Sequence, residues 1–236
     1  MKLEVCFSPA IYPKHADDNN IVVIIDIFRA TSAICAAFHH GVKSIIPVAS
    51  VDEARQKKEE GYLVACERDG YVLDFADFGN SPFNFMIDSL KGKEIVYSTT
   101  NGTRCIDLAK HSKAVYIGSF LNLGALASLL LDSNSPVLLF CASWKDRFSL
   151  EDMIFAGALA EKLLESGKYT SICDAVTASV DLWKLASTDL LSYMMKSAQK
   201  GRLAQKGLDD CIEFCLSIDY SSLVPYWHEG KLFVGF

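Results

Sequence analysis

Residues 21–32 read IVVIIDIFRATS. Five β-branched residues in a row make a strand meant for burial on both faces, and it runs straight into Asp26. Arg29 follows three positions later, and Ala30, Thr31 and Ser32 open a helix. The same design returns at 94–104, EIVYSTTNGTR, and at 137–152, VLLFCASWKDRFSLED. In sheets of alternating strands and helices, ligands sit beyond the carboxyl ends of the strands. Three such ends carrying acids, hydroxyls and guanidinium groups point to one composite site for a charged small molecule.

Outward from that stretch, strands are expected at 5–7, 43–48, 62–66, 94–98, 114–117 and 137–141. Helices are expected at 30–40, 51–60, from about Thr103, at 122–131 and at 150–165. Gly41 and Gly61 follow the first two helices as stops. A polar loop spans 8–20, and a longer one holds DFGNSP (77–82) before a short helix through Leu90. The remainder reads as mainly helical, with a tail at 226–236. KSIIPVASVDEAR and KAVYIGSFLNLGAL occupy like places in two strand–helix units, a weak internal symmetry rather than a solenoid period. The expected fold is α/β, three-layer α/β/α around a largely parallel or mixed sheet. No linker composition interrupts 1–236, so one domain is expected.

The 236 residues are 50% hydrophobic and 22% charged, which is ordinary for a globular protein. No apolar run reaches the roughly eighteen residues that span a bilayer. Glu4 stands where a secretory signal has its apolar region, so no membrane association and a cytoplasmic location are expected. A formal charge of −6 argues against nucleic acid as a partner, though not against an anionic substrate in a locally cationic cleft. The eight cysteines are dispersed, without a CxxC pair, and read as buried thiols of a reducing compartment. Cys211 and Cys215 are four apart on an expected helix but lack partners for a zinc site.

Each constellation has a bland reading and a chemical one. Ser149 with Asp152 is a capping-box pattern, which explains those two residues and leaves Glu151 without a task. Two adjacent acids at a helix start can instead hold Mg²⁺. Asp26 is either the cap of the next helix, ion-paired to Arg29, or a metal ligand or nucleophile. Phe28 occupies the place of the second acid in aspartyl phosphatases, so that motif is not met. TTNGTR joins a tight turn, hydroxyls and a helix start, a combination suited to an oxyanion, with Arg104 as a bidentate contact. CASWKDR has the C-x5-R spacing of cysteine phosphatases around Cys141 and Arg147. It has no glycine and carries bulky Trp144, so the match is weak.

Taken together, IDIFRAT (25–31), CERDG (66–70), DFGNSP (77–82), STTNGTR (98–104), GSFLN (118–122) and FSLED (148–152) resemble the 2-phosphosulfolactate phosphatase family. Cys66, Ser143 and Asp146 stand where that pattern has glycines. The resemblance implies a layered α/β fold and Mg²⁺-dependent hydrolysis of 2-phosphosulfolactate to 3-sulfolactate and phosphate in coenzyme M or sulfonate metabolism. The residues themselves support the same chemistry, with catalysis by Asp26, Arg29 and Arg104, the two arginines clamping phosphate or sulfonate. Substrate contacts would come from Asn80, Ser81, Thr100, Asn101, Gly102 and Thr103, and metal ligands from Asp26, Glu67, Glu151 and Asp152. The attacking group stays open between metal-bound water and Asp26. A phosphatase for another small phospho-acid, or a non-catalytic binder of such an anion, are the rival readings. A homodimer is expected on no residue pattern of its own.

Overall fold

A strand with no polar interruption can hide both faces only inside a sheet that helices cover on each side. A computed structural model of the protein, describing residues 1–235, has that arrangement. In chain order the elements are β1 (Leu3–Cys6), β2 (Ile21–Ile25), α1 (Ala30–His39), β3 (Ser44–Pro47), α2 (Val51–Glu59), β4 (Leu63–Arg68) and β5 (Tyr71–Val72). There follow β6 (Glu94–Ser98), α3 (Gly102–Ala109), β7 (Ala114–Gly118), α4 (Leu123–Asp132), β8 (Val137–Cys141), α5 (Leu150–Glu165) and α6 (Asp174–Ala186). The chain ends with α7 (Leu190–Met194), α8 (Ala198–Ala204), α9 (Ile212–Cys215), β9 (Tyr226–His228) and β10 (Lys231–Phe233).

Among the described residues ten strands join one sheet in the order β1-β8-β2-β7-β9-β10-β3-β6-β4-β5. Two blocks of it are parallel, β1-β8-β2-β7 and β3-β6-β4. The expected tail is instead a hairpin, β9–β10, that runs antiparallel to both blocks and closes the gap between them. Its Tyr226 pairs with Tyr116 of β7, and its Leu232 pairs with Ile45 of β3. Short, mixed-polarity strands of three residues carry too little periodicity to be read locally; their partner strands define them. Phe236, the last residue of that tail, lies outside the described residues.

The period of two along β2 divides the core. Ile21, Val23 and Ile25 pack on one face with Leu126, Phe155 and Leu159 of α4 and α5. Val22 and Ile24 pack on the other with Ile34 and Phe38 of α1 and Ile106 of α3. At about 1.5–3 kcal/mol per fully buried aliphatic side chain, β2 contributes roughly 10 kcal/mol. That exceeds the several kcal/mol that one desolvated charge costs. The strand can therefore afford ionisable groups at its end.

Smaller differences from the sequence reading have local causes. Loop 8–20 contains a 3-10 turn over Pro9–Lys14, capped by Ser8 and begun by Pro9. The helix expected before Leu90 is two 3-10 turns, Pro82–Phe85 and Asp88–Leu90. Among the described residues no helix is long and apolar enough to cross a membrane.

α5 is buried nearly all round, because α6 lies on its outer side. The two backbones meet at Gly157, where an added Cβ would fall 1.9 Å from the carbonyl oxygen of Ser179. Gly157→Ala is expected to cost about 3 kcal/mol, the upper range for overpacking, because a backbone atom cannot rotate away. Urea denaturation checks this; a loss under about 0.5 kcal/mol would show that α6 slides freely.

Candidate active site

Asp26 is the first residue past β2, half-buried, and its backbone is tied down at once. Its N–H donates to Thr31 Oγ1 at 3.1 Å, and its carbonyl accepts from Thr31 N–H at 2.9 Å. The Oδ1 atom accepts from Ala30 N–H at 3.4 Å, a long bond to the first residue of α1. Burial pushes the Asp26 carboxyl up to about 7, the nearby Glu67 and Glu151 charges push it further, and Ala30 N–H and Arg29 pull it back. Gly102, at the start of α3, lets that helix approach: a Cβ there would lie 2.8 Å from Ala30 Cβ and 3.1 Å from Asp26 Oδ2.

The expected Asp26–Arg29 ion pair is not formed: no contact within ion-pair distance joins them. Arg29 is only 4% exposed, and its guanidinium has neither a hydrogen bond nor a salt bridge among the described residues. An unpaired buried charge is costly unless a ligand meets it.

Glu67 at the end of β4 is buried and heavily bonded. It accepts from Thr100 N–H at 2.9 Å, from Thr100 Oγ1 and from Gly70 N–H at 2.6 Å. It thereby fastens the loop after β6 to the turn after β4. Thr99 and Thr103 close the start of α3 by exchanging N–H to Oγ1 bonds, each of 3.3 Å. These bonds give Thr100 and Thr103 framework tasks, while Asn101 and Thr100 line the cleft beside Asp26. Asn80 lines it too, with Oδ1 buried and without a partner among the described residues, and the Ser81 Oγ is buried beside it.

The capping box at α5 is not formed. Ser149 makes no cap bond; its Oγ donates to Glu151 Oε1 at 2.6 Å, and Ser197 Oγ donates to Oε2 at 2.6 Å. Asp152 reaches away from its own helix, accepting from Ile27 N–H at 2.9 Å and Ser143 N–H at 3.1 Å. Two buried N–H donors from outside the helix outcompete the local cap. Glu151, without a task in the sequence reading, is thus braced by two hydroxyls. Burial and the Glu151 and Asp26 charges push the Asp152 carboxyl well above the usual range, while its two N–H donors pull it back. Asp26, Glu151, Asp152 and the orphaned Ser143 Oγ line one small recess.

A larger cleft, about 490 Å³ when counted out into the solvent at its mouth, opens beside it. Its lining includes Asp26, Arg29, Glu67 and Asn80, and three residues the sequence reading missed: Gln199, Arg202 and Lys206. They come from α8 and the turn after it, which lie far along the chain from any strand end. Arg104 does not line the cleft; it is half-exposed and pairs with Asp146 at 3.2 Å. Cys141 is fully buried against Met153, and burial holds its thiol well above the ordinary value, the opposite of an activated nucleophile.

The acids offer oxygen only, the donor chemistry of Mg²⁺. Among the described residues no three His, Cys, Asp or Glu side chains converge closely enough to hold an ion. Asp152 and Glu151 have both oxygens engaged, whereas Asp26 has an oxygen free. The donor set fits a cation held by one or two carboxylates with water and ligand oxygens completing the shell, as Mg²⁺ is often held. It is not a preformed cage of four carboxylates.

A family model described as 2-phosphosulpholactate phosphatase matches residues 6–230. A probable 2-phosphosulfolactate phosphatase of Caldanaerobacter subterraneus subsp. tengcongensis is 35% identical over 213 residues, covering 89% of this chain and 88% of the relative. One from Thermotoga maritima is 36% identical over 203 residues, 86% of this chain and 87% of the relative. One from Clostridium acetobutylicum is 32% identical over 235 residues, 98% of this chain and all of the relative.

The Asp26 environment makes metal-free stability depend on pH. Its folded value of about 7 lies above the unfolded one, so protonated Asp26 favours the fold at low pH. That contribution is whole below about pH 4 and is lost as pH rises through about 7. Thermal melts in EDTA should fall across that window for the wild type and much less for Asp26→Asn. Parallel curves for the two proteins would show that Asp26 is solvated normally.

Proposed function

The chain belongs to the 2-phosphosulfolactate phosphatase family, and we propose that it hydrolyses 2-phosphosulfolactate to 3-sulfolactate and inorganic phosphate with Mg²⁺ as cofactor. The observation that carries this reading is the Asp26–Arg29 pair. A carboxyl with a raised proton affinity and a guanidinium with no partner face one cleft at the end of β2. Such a pair suits a phosphate ester better than a neutral substrate. The proposed setting is sulfonate metabolism, such as a coenzyme M route.

Phosphoryl transfer asks a protein mainly for position and charge neutralisation. Arg29 offers a planar fork to two phosphate oxygens. Asn101 and Thr100, held by Glu67, flank the same space at the start of α3, whose positive dipole end favours an anion. Ionised Asp26 accepts a hydrogen bond from the attacking water; as the new P–O bond forms the ester P–O bond breaks, and the proton taken from water passes through Asp26 to the leaving 3-sulfolactate oxygen. Bound Mg²⁺, held through Asp26 with help from the neighbouring acids, would neutralise charge on the phosphate oxygens. Glu67 and Asp152 serve this arrangement as braces. Direct attack by Asp26 is the rival chemistry; it would leave an acyl phosphate that borohydride reduces, and the water reading predicts no trapped product.

The test is phosphate release from 2-phosphosulfolactate and a panel of small phospho-acids, with EDTA and with Mg²⁺. Expected are equal amounts of phosphate and 3-sulfolactate, loss of both in EDTA, and recovery with Mg²⁺. Full rate in EDTA would remove the metal. Tight 3-sulfolactate binding without turnover of any ester would make the protein a binder. Faster turnover of another phospho-acid would replace the substrate.

Arg29→Lys keeps the charge and loses the fork. It should lower kcat/KM by about 2–4 kcal/mol of transition-state stabilisation, as when one preorganised donor is removed. The melting temperature should change little, because no group among the described residues bonds that guanidinium. A variant within threefold of wild type would take Arg29 out of the site.

A further inference from the structure

Two guanidinium groups in the cleft lack an anionic partner among the described residues, and the proposed phosphate contact uses only Arg29. The other is Arg202 on α8. No carboxylate lies within ion-pair distance of it, and its terminal amino groups have no hydrogen-bond partner among the described residues. Glu151 is the acid that acts on it, from beyond ion-pair distance, and both Glu151 oxygens are held by serines. Lys206 is already engaged: its ammonium donates to the carbonyl of Asp69 and lies 4.6 Å from the centre of the Tyr71 ring.

Arg202 is also fixed in place. Its guanidinium carbon lies 4.2 Å from the centre of the Trp144 ring. Its Nε donates to Gln199 Oε1 at 2.8 Å, and Gln199 Nε2 donates in turn to the carbonyl of Phe28 at 3.2 Å. Phe28 directly precedes Arg29. The stack and the bond at Nε leave the two terminal amino groups as the remaining donors, at a cleft that Arg29 shares. A flexible surface arginine would lose rotamer freedom on binding; this one has surrendered much of it already.

We propose that Arg202, held by Trp144 and Gln199, is the specificity subsite that receives the second, non-reacting oxyanion of the substrate while Arg29 takes the phosphate. The substrate class is then a small phosphate ester carrying another acid group on the same carbon skeleton. The inference rests on the phosphatase reading. Carboxylate and sulfonate share the chemistry that a guanidinium fork recognises, so either can be the group bound.

Four esters separate the cases: 2-phosphosulfolactate, 2-phospholactate with the carboxylate alone, 2-phosphooxyethanesulfonate with the sulfonate alone, and ethyl phosphate with neither. Arg202→Gln should raise KM at least 30-fold for 2-phosphosulfolactate while kcat stays within threefold. Ethyl phosphate kinetics should be unchanged. Whichever single-acid ester also loses affinity carries the recognised group. Trp144→Leu, which removes the stack and keeps the charge, should give a smaller rise in KM in the same substrate pattern. Equal damage to ethyl phosphate turnover, or an unchanged KM for the diacid, would overturn the subsite. Calorimetric titration of 3-sulfolactate examines it without turnover. At least tenfold weaker binding by Arg202→Gln is expected; unchanged binding overturns the subsite even if no ester is hydrolysed. Failure of the wild type on all four esters, with 3-sulfolactate binding still dependent on Arg202, would overturn the phosphatase reading alone.

Discussion

Asp26 and Arg29 lie three residues apart at the end of a strand whose five side chains are all buried, yet they do not pair. That unpaired charge is the constraint around which the rest is arranged. A salt bridge here would satisfy both groups and leave nothing for a ligand. Kept apart, they hold a carboxyl near neutrality and a guanidinium without an anion, a costly state that the packing of β2 has to sustain.

Much of the surrounding structure pins the backbone that carries them. Thr31 holds Asp26, Asp152 holds the N–H of Ile27, and Gln199 holds the carbonyl of Phe28. Those three bonds come from α1, α5 and α8, so three elements, two of them remote in sequence, fix three successive residues. Asp152 also takes the N–H of Ser143 and joins the loop after β8 to the same point. Glu67 does the equivalent for the loop after β6 through Thr100. The acids that read as metal ligands therefore have bracing work, and Asp26 alone keeps an oxygen without a protein partner.

The legible parts of the sequence were those with strong local period. β2 and β8 are unbroken runs of buried apolar residues, β6 buries Ile95, Val96 and Tyr97 between polar ends, and the ends of all three mark the site loops. The hairpin β9–β10 was not legible, because its pairing with β7 and β3 is what makes it sheet. The cap at Ser149 was misread because local spacing cannot see the competing donors of Ile27 and Ser143. Arg202 and Gln199 were missed because α8 is a short polar helix and nothing in it signals that it faces the end of β2. An arginine four residues before Lys206, on a segment with an N-cap at Ser197, was the only available hint, and it fits many solvated helices equally well.

The chemistry of the site turns on the state of one carboxyl, that of Asp26. Carbon-13 NMR of protein labelled at aspartate carboxyls, with Asp26→Asn to assign the resonance, measures it directly. A midpoint near 7 without metal, moving well down when Mg²⁺ is added, is the predicted result. A midpoint in the ordinary aspartate range without metal, or one that Mg²⁺ leaves in place, would contradict it.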